Sequence, residues 1–459
     1  MTAPTIAEDL ARFVRDLTPS AVPTNVNERA RHLILDGIGT ALAANARRMG
    51  DAFIAALAPL SISGTCPVIG RTERFAPRDA ALLNGLVIHS LEFDDTHMGA
   101  VLHPTATAFA AALAAAEMTD AADDALVTAY IAGLECGTRV GALAPGLFQA
   151  AGFHPTGVVG IFAAALAAGK LLGLTVPQLV DAQGLALSMA SGSMQFLQGG
   201  GVGKRFHAGW AAQCGLVAAS MAREGIAGAK GAFEGQHGLF ASFTRQPVSK
   251  AKAATVLAAL GSSWETLAVA VKPYPAAYYT HACIEAAIDL ALANVIDITR
   301  IVRVEARVPP PVLPKIAEPH AAKAQPADVS AAQFALPFLV ATALRARHFG
   351  LGELTPQTLA DPAILDLARR VTCTGDATLD FPRYYGGEVA ISLDDGRVLT
   401  HRVAINLGSE DRPVGKDFIL AKFASNCQLA GQPEHDALVA RLGHDVRALV
   451  AATGARVPA

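Results

Sequence analysis

Ala106-Thr107-Ala108-Phe109-Ala110-Ala111-Ala112-Leu113-Ala114-Ala115-Ala116-Glu117 is almost continuously small and apolar. Alanine is the best helix former and lets helix backbones approach closely, so this stretch predicts a helix buried on every side, inside a bundle rather than on its surface. Residues 158–172 and 208–222 have the same character. Upstream, Ile6, Leu10, Phe13, Val14 and Leu17 recur at the period of one helix face, and residues 30–43 continue in that manner with Leu33, Ile34 and Ile38. Near residue 300 the pattern changes: Val302, Val304, Ala306 and Val308 alternate with Arg303, Glu305 and Arg307, the period of a half-buried strand. Val389, Ile391 and Leu393, then Asp395-Gly396, then Val398 and Leu399 predict a hairpin, because Asp-Gly suits a tight turn. Residues 330–347 read as helix, 309–326 as the most loop-like stretch, and helix returns after Lys416. The fold class that follows is mainly α: a large all-helical domain, residues 1–269 plus 414–459, with a smaller α+β domain inserted at 270–413.

With 459 residues, 52% hydrophobic and 17% charged, the chain exceeds one ordinary domain and is not disordered. So little charge points to extensive buried faces, in a thick helical core or against a second subunit, so an oligomer is expected. Lys plus Arg (37) against Asp plus Glu (40) gives a net charge of -3 with no basic run, which argues against nucleic acid as a partner. Cys66, Cys136, Cys214, Cys283, Cys373 and Cys427 are far apart and form no C-x-x-C, so buried thiols in a reducing compartment are expected, with no structural zinc, iron-sulfur cluster or disulfide scaffold. Residues 1–17 carry Glu8, Asp9, Arg12, Arg15 and Asp16 and lack the apolar core of a signal peptide, so the cytoplasm is the expected location. Mean hydropathy is +0.35, yet Glu117, Lys170 and Arg223 interrupt the apolar runs before the ~18 residues of a membrane span. No membrane partner is expected.

Each alanine-rich stretch has a chemically active start. His103-Pro104-Thr105 precedes the first, His154-Pro155-Thr156 the second and Lys204-Arg205-Phe206-His207 the third. Proline keeps the residue before it out of the helix and suits the first helical position, so His103 and His154 are predicted at helix N-termini. Such ends carry unpaired N–H groups and about half a positive charge. Three of them brought together would make a site for an anion with several carboxylates. Either His-Pro pair alone reads better as a surface cap; recurrence beside two buried helices favours a site. Leu91-Glu92-Phe93-Asp94-Asp95-Thr96-His97 adds carboxylates that can orient a histidine ring, raise its basicity or ligate a metal, or that simply cap a helix. No second His or Glu stands at the H-E-x-x-H spacing and no oxygen ligands cluster, so no metal is assigned.

Gln198-Gly199-Gly200-Gly201-Val202-Gly203-Lys204 looks like a phosphate loop but fails, with Gln198 where the first glycine belongs and Arg205 where Ser or Thr belongs. No strand precedes Gly199, which also excludes a dinucleotide fingerprint. These glycines suit close approach of backbone to a ligand or a neighbouring chain, leaving Lys204 and Arg205 to meet carboxylates. Lys272-Pro273-Tyr274-Pro275 and His281 lie at the entry to the inserted domain. Two prolines stiffen the junction, and a cleft there would present Lys272, Tyr274 and His281 to a ligand; a rigid linker is the alternative.

Five motifs in order make the chain resemble the MmgE/PrpD family, which includes 2-methylcitrate dehydratase, cis-aconitate decarboxylase and iminodisuccinate epimerase. They are Phe93-Asp94-Asp95-Thr96-His97 followed by His103-Pro104, Gly152-Phe153-His154-Pro155-Thr156-Gly157, Lys204-Arg205-Phe206-His207-Ala208-Gly209, Lys272-Pro273-Tyr274-Pro275, and Thr280-His281. The resemblance spans nearly the whole chain. It implies a helical domain with a smaller lid domain inserted, a homodimer, an active site in the cleft between domains, and no obligatory metal or organic cofactor. It also implies a catalytic cluster at Glu92, Thr96, His103, His154, Lys204 and His281, and Asp94, Asp95, Arg205, His207, Lys272 and Tyr274 complete the substrate-binding set. Two positions depart from the family pattern: Glu92 stands where relatives often have aspartate, and Phe338, in Phe334-Ala335-Leu336-Pro337-Phe338, where they often have tyrosine. The family reactions all place negative charge beside a carboxylate, so the expected chemistry is proton exchange at carbon by His103 or His154 on a di- or tricarboxylate. Lys204 and Arg205 would hold the charge, and His281 or the other histidine would act as acid. A 2-methylcitrate dehydratase-like hydro-lyase is the leading expectation. An iminodisuccinate-type epimerase, a cis-aconitate-type decarboxylase and a non-catalytic carboxylate-binding paralogue are the alternatives.

Overall fold

Residues 4–199, 201–294, 296–432, 435–442 and 445–454 are described by a computed structural model. The chain is mainly α and divides into two compact units, Met1–Val271 with Gly415–Ala459, and Lys272–Val414.

The first unit opens with α1 (Ile6–Asp16), started by a capping box in which the Thr5 hydroxyl accepts from the Glu8 N–H and the Glu8 carboxylate from the Thr5 N–H. It continues through α2 (Thr24–Ala46), α3 (Pro77–Ile88), α4 (Pro104–Thr119), α5 (Asp123–Ala142), α6 (Gly160–Leu171), α7 (Val176–Met189) and α8 (Gly203–Arg223). Every residue of α4 from Pro104 to Ala116 is buried, as an all-round apolar sequence requires. Small residues set how closely these helices pack. A Cβ on Gly209 of α8 would lie 2.2 Å from the Leu82 carbonyl oxygen of α3, and one on Gly85 of α3 would lie 2.8 Å from that of Ala106 in α4. The three helices therefore meet backbone to backbone, and any larger residue at these points would force them apart.

Three expectations need correction here. The second alanine-rich stretch is not one helix from 158: Pro155–Val158 makes a single turn before α6 starts at Gly160. Lys204 to His207 lie within the first two turns of α8 rather than ahead of it. The unit is also not purely helical, since β1 (Cys66–Pro67) and β2 (Arg74–Phe75) pair antiparallel. Strands of two residues are too short to leave any periodicity to read.

The second unit contains α9 (His281–Ala293), β3 (Ile301–Val308), α10 (Leu336–Ala346), β4 (Val371–Gly375), β5 (Gly387–Leu393) and β6 (Val398–Val403). Its sheet runs in the order β4-β3-β5-β6, with β3 and β4 parallel (Val304 opposite Val371) and the other pairs antiparallel (Val304 opposite Ile391, Ile391 opposite Leu399). Asp395-Gly396 does make the turn between β5 and β6, with Gly396 at φ +86°. The β3 alternation holds from Val304 onward, but a register shift between Ile301 and Arg303 reverses it, leaving Val302 58% exposed and Ile301 buried. The predicted helix over 330–347 is broken into Val329–Ala332 and α10, where Pro337, lacking an N–H, fits only the first turn. The loop-like stretch 309–326 holds short helical turns at Leu313–Ile316 and His320–Ala324. The chain then rejoins the first unit as α11 (Lys416–Leu429), which packs along α2.

Candidate active site

The loop between α3 and α4 is pinned from several sides. Thr96 and Ala270 exchange both backbone hydrogen bonds at 2.8 Å, and His97 pairs with Leu102. Buried Lys422 of α11 donates to the Phe93 carbonyl at 2.7 Å, lies 3.8 Å from the Phe93 ring centroid and pairs with Asp36 at 2.7 Å. Within this loop Glu92 has φ +51°, a left-handed conformation that costs a non-glycine residue about 1 kcal/mol or more and that persists where surrounding contacts impose it. Its carboxylate forms an ion pair with Lys204 in the first turn of α8.

Asp94 sits between two imidazoles. Its Oδ2 is 2.7 Å from His89 Nδ1 and 3.4 Å from His103 Nδ1, and the His89 and Asp94 side chains are wholly buried. His103 Nδ1 also lies 2.7 Å from the Asp95 carbonyl oxygen and 3.0 Å from Thr96 Oγ1. A carbonyl only accepts, so Nδ1 of His103 carries the hydrogen and Nε2 the lone pair of the neutral ring. The Asp94 carboxylate beside it stabilises positive charge on that ring. The Asp95 carboxyl turns inward instead, accepting from the Thr105 N–H at 3.4 Å and from the Thr105 hydroxyl, which lies 2.5 Å from Tyr130 OH of α5. Burial pushes the Asp95 carboxyl up to about 8, so it is neutral at pH 7. The group that the sequence places against substrate therefore braces the start of α4.

His154 occupies the cap position of the Pro155–Val158 turn, its N–H donating to the Gly192 carbonyl at 2.8 Å. Its Nδ1 is 3.3 Å from Nδ1 of His207 on α8. Ring centroids are 4.6 Å apart for His89 and His103, 5.5 Å for His89 and His154, and 6.3 Å for His103 and His154. Phe196 packs edge-on against both His154 and His207. Burial, with lesser contributions from His89 and Lys204, lowers the His207 pKa to about 4, so this ring is neutral at physiological pH. Although His103 and His154 both stand at cap positions, neither side chain caps its helix. Both are directed to the cluster instead.

The fold thus gathers Glu92, Asp94, Thr96, His103, His154, Lys204 and His207 into one neighbourhood. It adds His89, which the sequence reading missed: the residue follows the buried helix α3 and stands five positions before Asp94, a spacing with no motif attached. Arg205 points elsewhere on α8, donating from Nη1 to Met49 Sδ at 3.5 Å. Lys272, Tyr274 and His281 belong to the second unit. There Lys272 is buried, His281 Nε2 is 3.0 Å from the Ala276 carbonyl, and Tyr274 and Tyr278 pack edge-on against the His281 ring at 5.3 and 4.9 Å. Burial raises the Tyr274 phenol above its ordinary range. Phe338 is fully buried in that unit's apolar core.

Over residues 8–251 the chain matches the MmgE/PrpD N-terminal domain, and over residues 274–443 the MmgE/PrpD C-terminal domain. With both halves matched, the protein belongs to the MmgE/PrpD family. Among its relatives, a cis-aconitate decarboxylase-like protein, oryM, of Aspergillus oryzae is 31% identical over 437 residues, 91% of this chain and 89% of that one. Cis-aconitate decarboxylase of Aspergillus terreus is 30% identical over 442 residues (91% and 88%), and that of Mus musculus 24% over 447 residues (93% and 87%). No helix among the described residues is long and apolar enough to cross a membrane.

Proposed function

We propose that this protein is a lyase acting on a tricarboxylate without an obligatory metal or organic cofactor, and that its reaction is decarboxylation of the cis-aconitate type. The observation that carries the reading is the gathering of His103 and His154, with ring centroids 6.3 Å apart, beside a loop whose Glu92 holds Lys204. The two Aspergillus relatives, each matched over nearly its full length, support the substrate.

The chemistry asks for little more. In an unsaturated tricarboxylate the bond from carbon to the departing carboxylate breaks, and its electron pair becomes a new double bond. The old double bond shifts toward the carbon beside a remaining carboxylate, and that carbon takes up one proton. Carbon dioxide leaves and one proton enters. A single positioned acid and a cation that steadies enolate-like charge are sufficient. His103 supplies the acid: Nδ1–H is held by the Asp95 carbonyl, Asp94 favours the positive ring, and Nε2 delivers the proton. Lys204 supplies the cation. No leaving hydroxyl has to be protonated in this reaction. Lys272, Tyr274 and His281 are proposed for the same substrate on the family pattern alone.

A second reading, a 2-methylcitrate dehydratase-like hydro-lyase, draws on the pairing of His103 with His154 as base and acid; an epimerase of amino-dicarboxylates would use the same pair. The test is an NMR screen in deuterated buffer with cis-aconitate, 2-methylcitrate and iminodisuccinate. Consumption of cis-aconitate with release of carbon dioxide and one deuterium in the product supports decarboxylation. Water loss from 2-methylcitrate without carbon dioxide would move the assignment to hydro-lyase, and exchange without net loss of substrate to epimerase. Inertness toward all three would leave a carboxylate-binding paralogue. A homodimer in the cytoplasm belongs to the same proposal, and light scattering on the purified protein tests its subunit number.

A further inference from the structure

His89, His103 and His154 do more than crowd one another. One ring nitrogen from each lies within 4.8 Å of the other two, and all three residues are buried. We propose that this trio binds a late first-row divalent cation of the zinc class when no substrate is present.

Four observations point to a metal. Imidazole is a preferred ligand for such ions, and a set of three leaves one position open for water or a carboxylate. The tautomers are suited to it. Asp94 accepts from His89 Nδ1 at 2.7 Å and the Asp95 carbonyl from His103 Nδ1 at 2.7 Å, so each neutral ring has its lone pair on Nε2. A metal-bound histidine characteristically donates its other N–H to a carboxylate or carbonyl in this way. His89 Nε2 is buried with no hydrogen-bond partner among the described residues, an unfavourable situation that a bound ion would relieve. Finally, the spacing fits: with metal–nitrogen bonds of 2.0–2.1 Å in a tetrahedron, ring centroids stand about 5 Å apart. The observed separations are 4.6, 5.5 and 6.3 Å, so two of the three pairs already match and His103 and His154 would draw together by about 1 Å on binding an ion. His103 is the most exposed of the three, at 9%. Glu92 and Asp94 supply negative charge to the neighbourhood, with Lys204 paired to Glu92.

The ligands come from the end of α3, the cap of α4 and the turn before α6, so no spacing in the sequence could announce them. The site is that of the proposed reaction, and only the consequence rests on that reading: an ion on His103 and His154 would exclude the substrate and stop proton delivery. It would inhibit rather than assist.

The direct test is titration of the full-length, EDTA-treated and dialysed protein with Co²⁺ at pH 7.5, following visible absorption and equilibrium dialysis. One equivalent is expected to bind with the spectrum of a four- or five-coordinate ion and to be displaced by Zn²⁺. Asp94→Asn, which keeps all three rings, is expected to weaken the ion about 10–100-fold, and His89→Ala at least as much. Should His89→Ala not fold, Asp94→Asn still decides the matter. No saturable binding, or unchanged affinity and spectrum in a folded variant, overturns the proposal. Turnover of cis-aconitate by a protein that ignores Co²⁺ would remove the metal site and leave the reaction standing. Co²⁺ binding by a protein inert to every carboxylate would do the reverse.

Discussion

The two units bury different kinds of residue. The first encloses ionisable groups at the heart of its helices: Asp36, His89, Asp94, Asp95 and His154 are each at most 4% exposed. The second is built on Val304, Phe338, Leu339, Val389 and Ile391, and sets ion pairs such as Arg300–Asp394 and Arg402–Asp376 toward solvent; its buried ionisable groups include Lys272, His281 and Glu285, at or near α9, and Glu388 of β5, which pairs with Arg307. Desolvating charge is unfavourable unless each group is partnered, whereas apolar burial is favourable wherever it occurs. An interior polar cluster is therefore a sign of chemistry, and an apolar core a sign of support. The contrast can be tested from both sides.

The largest effect is expected at the acid. His103→Ala should lower turnover about 10²–10⁴-fold while the circular dichroism spectrum stays that of wild type, and Lys204→Ala about 10²–10³-fold. Phe338→Ala should act in the opposite sense, destabilising by about 3–5 kcal/mol through the cavity it leaves, seen as a lowered denaturation midpoint. If Phe338→Ala abolished turnover without loss of stability, the division between site and support would be wrong.

A smaller effect lies in the pH dependence of stability. Asp95 in the folded protein holds its proton up to about pH 8, whereas the unfolded chain loses it near pH 4. Between those values the folded state binds more protons, so stability falls as pH rises across the window. Asp95→Asn should remove that decline, its thermal midpoint gaining on wild type from pH 5 to pH 8. His207 has the reverse sign. Its folded pKa of about 4 lies below the ordinary 6.5, so its contribution is present above pH 6.5 and lost as pH falls toward 4, a loss that His207→Gln should abolish. The smallest change is expected for Glu92→Asp, which keeps the charge opposite Lys204 on a shorter arm and should alter kcat/KM only several-fold.

Much of this was legible in the sequence because its signals are local. The alanine-rich run of α4 and the Asp395-Gly396 turn each announce themselves within a dozen residues. Proline after His103 and His154 marks both cap positions, and the acidic loop names Glu92 and Asp94. What escaped depends on long-range geometry. The parallel partner β4 has only Val371 fully buried and shows no alternation, so only its pairing with β3 defines it. Val302 faces solvent because of a bulge that no period reveals. Asp95 and His89 differ little from their neighbours in sequence. It is Thr105 and Tyr130 that turn Asp95 inward, and Asp94 that gives His89 its role.

The central claim is that one cluster in the helical unit delivers a proton to carbon. Its most direct test is proton NMR of cis-aconitate with the wild type, His103→Ala and His154→Ala in deuterated buffer. The wild type should form a product carrying a single deuterium at the carbon beside a carboxylate, with His103→Ala folded and slowed at least a hundredfold. Undiminished rates in both variants, or a folded wild type that neither consumes nor labels any carboxylate offered, would contradict it.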